Sequence, residues 1–179
     1  LQQANCSVSQ AGVLRGMHFA ELPPSQAKYV TCVRGAVFDV VLDIRVGSPT
    51  FGTWDSVILD DRTHRSVYLS EGLAHGFLAL QNDSTVMYLC STGYDPQREH
   101  TIRATTLGID WPTEHPLILS ERDAAAPTLG EVAAAGLLRS IMSPPTATRS
   151  QPTRGTDRSS FLATYWMVVG MDAGTMSTS

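Results

Sequence analysis

An all-β fold, an antiparallel sandwich or barrel, is predicted for most of this chain by three observations. Between Tyr29 and Thr92, short β-branched and aromatic runs alternate with turn-forming residues, the pattern of successive hairpins. The 179 residues are 42% apolar and 17% charged, enough to bury one substantial core and too apolar for a disordered chain. Helical periodicity is scarce, with one well-capped stretch late in the chain.

The runs YVTCV, AVFDVVLDI, TWDSVIL, RSVYLS, HGFLAL and STVMYLC read in order as strands. Between them lie Arg34-Gly35, Gly47-Ser48-Pro49, Asp60-Asp61-Arg62, Glu71-Gly72 and Gln81-Asn82-Asp83, residues that let the backbone reverse. Side chains alternate across a strand, so Asp39 and Asp43 share one face while Phe38, Val40 and Leu42 share the other. Over Thr128–Leu138, an N-cap threonine, Glu131 three residues on and an Ala-rich middle predict a short surface helix.

The ends differ from the middle. Leu1 is not an initiator methionine and strand-like sequence starts within a few residues of it, so an upstream portion is expected to be absent. After Ser140, Ser, Thr and Pro become frequent and periodicity vanishes, although FLATYWMVVG forms an apolar island. The expectation is one domain over residues 1–140 and a tail, 141–179, that is disordered or not native coding sequence.

Composition narrows the function classes. A net charge of −4 without any Lys/Arg-rich run argues against nucleic acid or an anionic membrane surface as a partner. Cys6, Cys32 and Cys90 are an odd, widely spaced set without CxxC, which fits reduced thiols in the cytoplasm better than a disulfide framework. No signal-peptide pattern opens the sequence, and the apolar stretch 161–169 is far below the roughly 20 residues of a membrane helix. A soluble protein is expected.

VLRGMHF, SPTFG, EGLAHGF and RDAAAP occur together, joined by STVMYLCSTGYDPQREHTI and LGIDWP. Through these segments residues 3–130 resemble the dTDP-4-dehydrorhamnose 3,5-epimerase family, in wording closest to its actinobacterial members. The resemblance implies a cupin-like double-stranded β-helix, a jelly-roll barrel, with a short C-terminal helix and a homodimeric state. It also implies phosphate-binding residues upstream of Leu1.

Taken alone, a strand histidine or tyrosine is more often structural than catalytic, so the following roles are those the resemblance implies. His18 matches the general base, an imidazole suited to removing a proton beside a ketone near neutral pH. Asp123 matches the carboxylate that orients it. Tyr88 matches the general acid, placed across the sugar ring because inversion removes a proton from one face and returns one to the other. Lys28, the chain's single lysine, matches the cation that steadies the enolate oxygen at C4. His75 matches a second substrate-contacting histidine, and Arg15 a guanidinium that clamps the diphosphate. Tyr94 matches the aromatic platform for thymine. Gln3, Asn5, Glu99 and Arg122 fall at further substrate-contact positions, Arg122 where the family often has lysine.

Metal-dependent cupins offer two closely spaced histidines and a glutamate, plus a later histidine. The first motif here holds only His18, and His64, His100 and His115 fall at expected turns, so no metal is expected. Proton transfer beside a ketone needs no redox cofactor, and neither GxGxxG nor a P-loop is present, so no cofactor is expected. The implied reaction inverts C3 and C5 of dTDP-4-dehydro-6-deoxy-D-glucose. A single-carbon epimerase of an antibiotic-sugar pathway and an inactive truncated product are the alternatives.

Overall fold

The computed structural model describes residues 1–21 and 25–138, together with the backbone of 166–169. Its strands are β1 (Gln3–Ser9), β2 (Leu14–Ala20), β3 (Lys28–Arg34), β4 (Ala36–Asp43), β5 (Trp54–Asp60), β6 (Ser66–Leu69), β7 (Leu73–Ala79), β8 (Ser84–Cys90), β9 (Glu99–Thr101) and β10 (Trp166–Val169). Two short helices, α1 (Glu121–Ala124) and α2 (Leu129–Ala134), follow β9. The strands form two antiparallel five-stranded sheets, ordered β1-β8-β3-β6-β10 and β5-β4-β7-β2-β9. This is the all-β jelly roll that the sequence implies.

The six runs identified by alternation are β3 to β8, with β7 beginning two residues earlier than HGFLAL, at Leu73. Thr128 caps α2 as expected: its hydroxyl accepts the Glu131 N–H, and the Glu131 carboxylate accepts the Thr128 N–H at 2.7 Å. The helix stops at Ala134 rather than at Leu138. Gly136 takes a left-handed backbone, φ 71°, which turns the chain and drives Leu138 into the core. His100, expected in a turn, lies on β9, and its ring nitrogen meets Glu21 at 2.7 Å. Within the expected tail, 166–169 pair antiparallel with β6 as a strand, so regular structure replaces the expected lack of it over those four residues. The rest of 139–179 lies outside the described residues.

Strand parity divides the apolar residues between two cores. Val40 and Leu42 of β4, with Leu14, Met17 and Phe19 of β2, face outward from the second sheet and are covered by residues 102–138, including Ile102 and Val132. Val37 and Val41 face the first sheet, packing with Val30, Val67, Val86, Leu59 and Phe77. Asp39 and Asp43 share this inner face, so both carboxylates are buried, at 2% and 0% exposure. The second apolar core fills the half of the intersheet space nearest β4 to β6. The half bounded by β1, β8, β2 and β9 is left to polar residues.

Asp43 explains the SPTFG motif. Its carboxylate accepts Arg45 Nε at 2.8 Å and Nη2 at 2.7 Å, and the hydroxyls of Ser48 and Thr50 at 2.6 Å each. Burial alone would raise this carboxyl, but these bonds outweigh it and bring the pKa down to about 2. Asp43→Asn removes the buried carboxylate charge that accepts Arg45 Nε and Nη2 and is expected to cost about 3–5 kcal/mol at pH 7 in urea unfolding. A carboxyl depressed from about 3.9 in the unfolded chain stabilises above pH 4 and loses that contribution as pH falls toward 2. The gap between wild type and variant should therefore close across that window.

Candidate active site

The site begins with a bulge. β2 and β7 pair Leu14 with Leu78 and Arg15 with Phe77, but then His18 with His75, so Gly16 and Met17 together oppose Gly76 alone. Arg15 and His18 are three residues apart and would face opposite sides of a regular strand. The extra residue restores both to the inner face, and it likewise keeps Leu14 and Met17 together on the outer one. Only glycine fits the crossing. Gly16 has φ +109°, and a Cβ there would meet Gly76 Cα and the His75 carbonyl oxygen at 2.7 Å.

His18 and His75 are therefore directly opposed neighbours, each with its own carboxylate. His18 Nε2 lies 2.8 Å from Asp123 Oδ1, and His75 Nε2 lies 2.8 Å from Asp39 Oδ2. Asp123 is held in α1, where its N–H donates to the hydroxyl of Ser120, the N-cap residue, and the Gly16 N–H donates to Oδ2. Burial would raise the Asp123 carboxyl, but His18, Gly16 and Ser120 together hold it below its ordinary value. An ionised carboxylate only accepts, so His18 Nε2 carries the hydrogen and Nδ1 keeps its lone pair. That tautomer can take a proton.

The opposite wall belongs to the other sheet. Tyr88 and Cys90 of β8, Lys28 of β3, and Gln3, Asn5 and Ser7 of β1 line the same cavity as His18 and His75. Burial keeps the Tyr88 phenol above its ordinary 10.0, with Cys90 and Glu99 adding to the rise and Arg15 opposing it, so it holds its proton at neutral pH. Burial pulls the Lys28 ammonium below its ordinary 10.5, partly offset by Cys90, Glu99 and Asp39. Lys28 makes no hydrogen bond or ion pair with the described residues, so its charge is available to a ligand.

Towards the mouth, Tyr94 is 55% exposed and its backbone N–H donates to Gln3 Oε1 at 2.6 Å. Gln3 in turn donates to Asn5 Oδ1 at 2.7 Å. Arg122 Nη2 donates to the Glu99 carbonyl oxygen at 3.1 Å. The structure thus gathers every residue singled out from the sequence around one cavity, Asp123 reaching it through His18. It adds Asp39, Gln26, Ser7 and Cys90. Asp39 was legible as sharing a face with Asp43, but not as the partner of His75. Ser7 continues the parity of Gln3 and Asn5, a usable signal. Gln26, buried with its amide on the Thr92 carbonyl oxygen at 3.1 Å, lies in the connection between β2 and β3 and carried none. Among the described residues no three His, Cys, Asp or Glu side chains converge as metal ligands.

Two sheets enclosing an imidazole–carboxylate pair on one wall and a phenol and an ammonium on the other define a jelly-roll site for proton transfer. The sequence profile of the dTDP-4-dehydrorhamnose 3,5-epimerase family matches residues 1–131. A known dTDP-4-dehydrorhamnose 3,5-epimerase from Mycolicibacterium smegmatis is 72% identical over 138 residues, 77% of this chain and 69% of the relative. Among solved structures, the rmlC epimerase of Mycobacterium tuberculosis matches with a TM-score of 0.76 and 69% identity, over 78% of this chain and 72% of that one. A 3'-monoepimerase from Streptomyces bikiniensis, solved with dTDP-quinovose, matches at 0.75 and 50% identity, over 78% and 71%. The chain belongs to the dTDP-4-dehydrorhamnose 3,5-epimerase family.

Gly16→Ala should damage the site more than the fold, because the clash lies between residue 16 and the His75–Gly76 backbone, beside the two histidines of the site. A strained, displaced bulge is expected to cost about 1–3 kcal/mol in denaturant unfolding. Turnover should fall well beyond what that loss explains, since misplacement by about 1 Å can cost 10²-fold.

Proposed function

We propose that this protein inverts C3 and C5 of dTDP-4-dehydro-6-deoxy-D-glucose to give dTDP-4-dehydro-L-rhamnose, without a cofactor. The observation that carries the reading is the placement of His18, backed by Asp123 of α1, on one sheet and Tyr88 on the other, across a single cavity. His18 removes the proton beside the C4 ketone, and Asp123 holds the resulting imidazolium. Lys28 faces the oxygen on which charge develops, where a preorganised cation stabilises the transition state most. Tyr88, protonated at neutral pH, returns a proton from the far side. Inversion needs those two groups on opposite faces of the carbon, and two facing sheets supply that.

The cavity volume of about 240 Å³ supports the substrate assignment. It is below the roughly 300–1,000 Å³ of a site that encloses a whole drug-sized ligand. A hexose ring fits within, and the nucleotide extends past the mouth. There Tyr94 stacks on thymine, with Gln3, Asn5, Glu99 and Arg122 around it and Arg15 on the diphosphate. His75, steadied by Asp39, contacts the sugar beside His18.

A homodimer is part of the same proposal. The outer face of the first sheet carries Val8, Tyr29, Val33, Tyr68 and Met87, all between 36% and 57% exposed. An exposed apolar sheet face of this kind fits a second copy of the chain. The cytoplasm is the proposed compartment, since all three cysteines are free thiols. No helix among the described residues is long and apolar enough to cross a membrane.

His18→Asn removes the base, and its shorter amide falls short of the Nε2 position that meets Asp123. Turnover should fall about 10²- to 10⁴-fold, while dTDP affinity by calorimetry stays within about twofold, because a base contributes to proton transfer and little to holding the nucleotide. A near-normal rate would refute the assignment of His18. The S. bikiniensis relative keeps a one-carbon reaction in view, so substrate turned over in D2O should be examined by NMR. Deuterium at both C3 and C5 supports the double inversion, and exchange at C3 alone selects the single-carbon reading.

A further inference from the structure

His18 has a neighbour on each side along the second sheet. β7 sets His75 against it and β9 sets Thr101 against it, so three side chains stand abreast on the inner face. Met17 and Ile102 exchange both of their backbone bonds, at 3.0 and 2.8 Å. The next pair along, His18 with Thr101, is therefore the narrow, non-hydrogen-bonded kind, in which side chains lie closest. Opposed Cβ atoms stand about 4.5–5.5 Å apart, so Thr101 packs against the stem of the His18 ring.

Thr101 is 6% exposed, and its Oγ1 is buried with no hydrogen-bond partner among the described residues. Packing does not account for that oxygen. Valine would give the same β-branched shape and leave nothing unmatched. What changes beside Thr101 during turnover is the charge on His18. When the ring takes a proton at Nδ1 it becomes an imidazolium, with the Asp123 carboxylate on its other nitrogen. Arg15 along β2 and Lys28 across the cavity are cations and oppose that charge. A buried hydroxyl with no other bond to lose can turn its hydrogen away and present its lone pairs to the ring. A dipole already in place in a site that excludes water stabilises developing charge strongly.

We infer that Thr101 is a positioning residue for proton removal. Its branched side chain fixes the His18 ring from β9, and its hydroxyl dipole stabilises the imidazolium that forms. The inference rests on the reading of His18 as the base. Thr101 acts through His18 and not on the substrate, so it governs the rate of proton removal and not the hold on the nucleotide.

Thr101→Val in the full chain keeps the shape and removes the dipole. Its kcat should fall about tenfold, less than the 10²- to 10³-fold lost with a donor that meets the reacting atom itself. Deuterium uptake from D2O into the substrate should slow by the same factor, while KM and dTDP affinity by calorimetry stay within about twofold. The melting temperature should be unchanged or higher, because an unsatisfied buried group is gone. Thr101→Ser, which keeps the hydroxyl, should hold kcat within about threefold of wild type. A wild-type rate in Thr101→Val, an equal loss in both variants, or a loss confined to KM would each overturn the inference. A near-normal rate in His18→Asn would instead remove the base on which it rests, so the two failures are distinct.

Discussion

The contact on which the site depends is the crossing of two glycines, where β2 passes β7 with Gly16 against Gly76. A side chain on either would meet the other strand's backbone, so the close approach exists only because both lack a Cβ. The approach admits one extra residue into β2, and that residue sets which side chains face inward. From it follow the inner placement of both Arg15 and His18, and the outer placement of both Leu14 and Met17 in the core. Gly16 also donates its N–H to Asp123, so the turn that aims the histidine helps to hold its carboxylate.

Around this point the intersheet space is divided by polarity. Valines, leucines and Phe77 close one half, and Asp43 with Arg45 seals the loop beyond β4. The other half stays hollow and polar, and burial there shifts protons in useful directions. The phenol of Tyr88 holds its proton, the buried ammonium of Lys28 forms no ion pair with the described residues, and Asp123 stays ionised against its burial. Hydrophobic closure on one side thus supplies the low-dielectric surroundings in which the charges on the other side act strongly.

Much of the fold was legible because turns and alternation are local. Runs such as AVFDVVLDI and STVMYLC declare strands by themselves, and Thr128 with Glu131 declares a helix start. Where longer-range contacts decide, the sequence was silent. The end of α2 depends on Gly136 turning Leu138 into a core that only the assembled sheet provides. β9 is three polar residues with no period to read, and Trp166–Val169 became a strand only by meeting β6. The site was legible in a different way. His18, Tyr88, Lys28 and Asp123 were picked out by likeness to a family, while simple alternation along β2 would have put Arg15 and His18 on opposite faces. Neither the bulge nor the His75–Asp39 bond has a local signature, since both depend on which strand lies next door.

The central claim is that proton removal and proton return come from facing sheets. It is tested most directly by Tyr88→Phe turned over in D2O, following both deuterium uptake and inversion at C3. If Tyr88 serves the face opposite to His18, uptake from solvent persists while inversion falls by at least about tenfold. Inversion at the wild-type rate in Tyr88→Phe, with the defect appearing in Tyr94→Phe instead, would contradict the account.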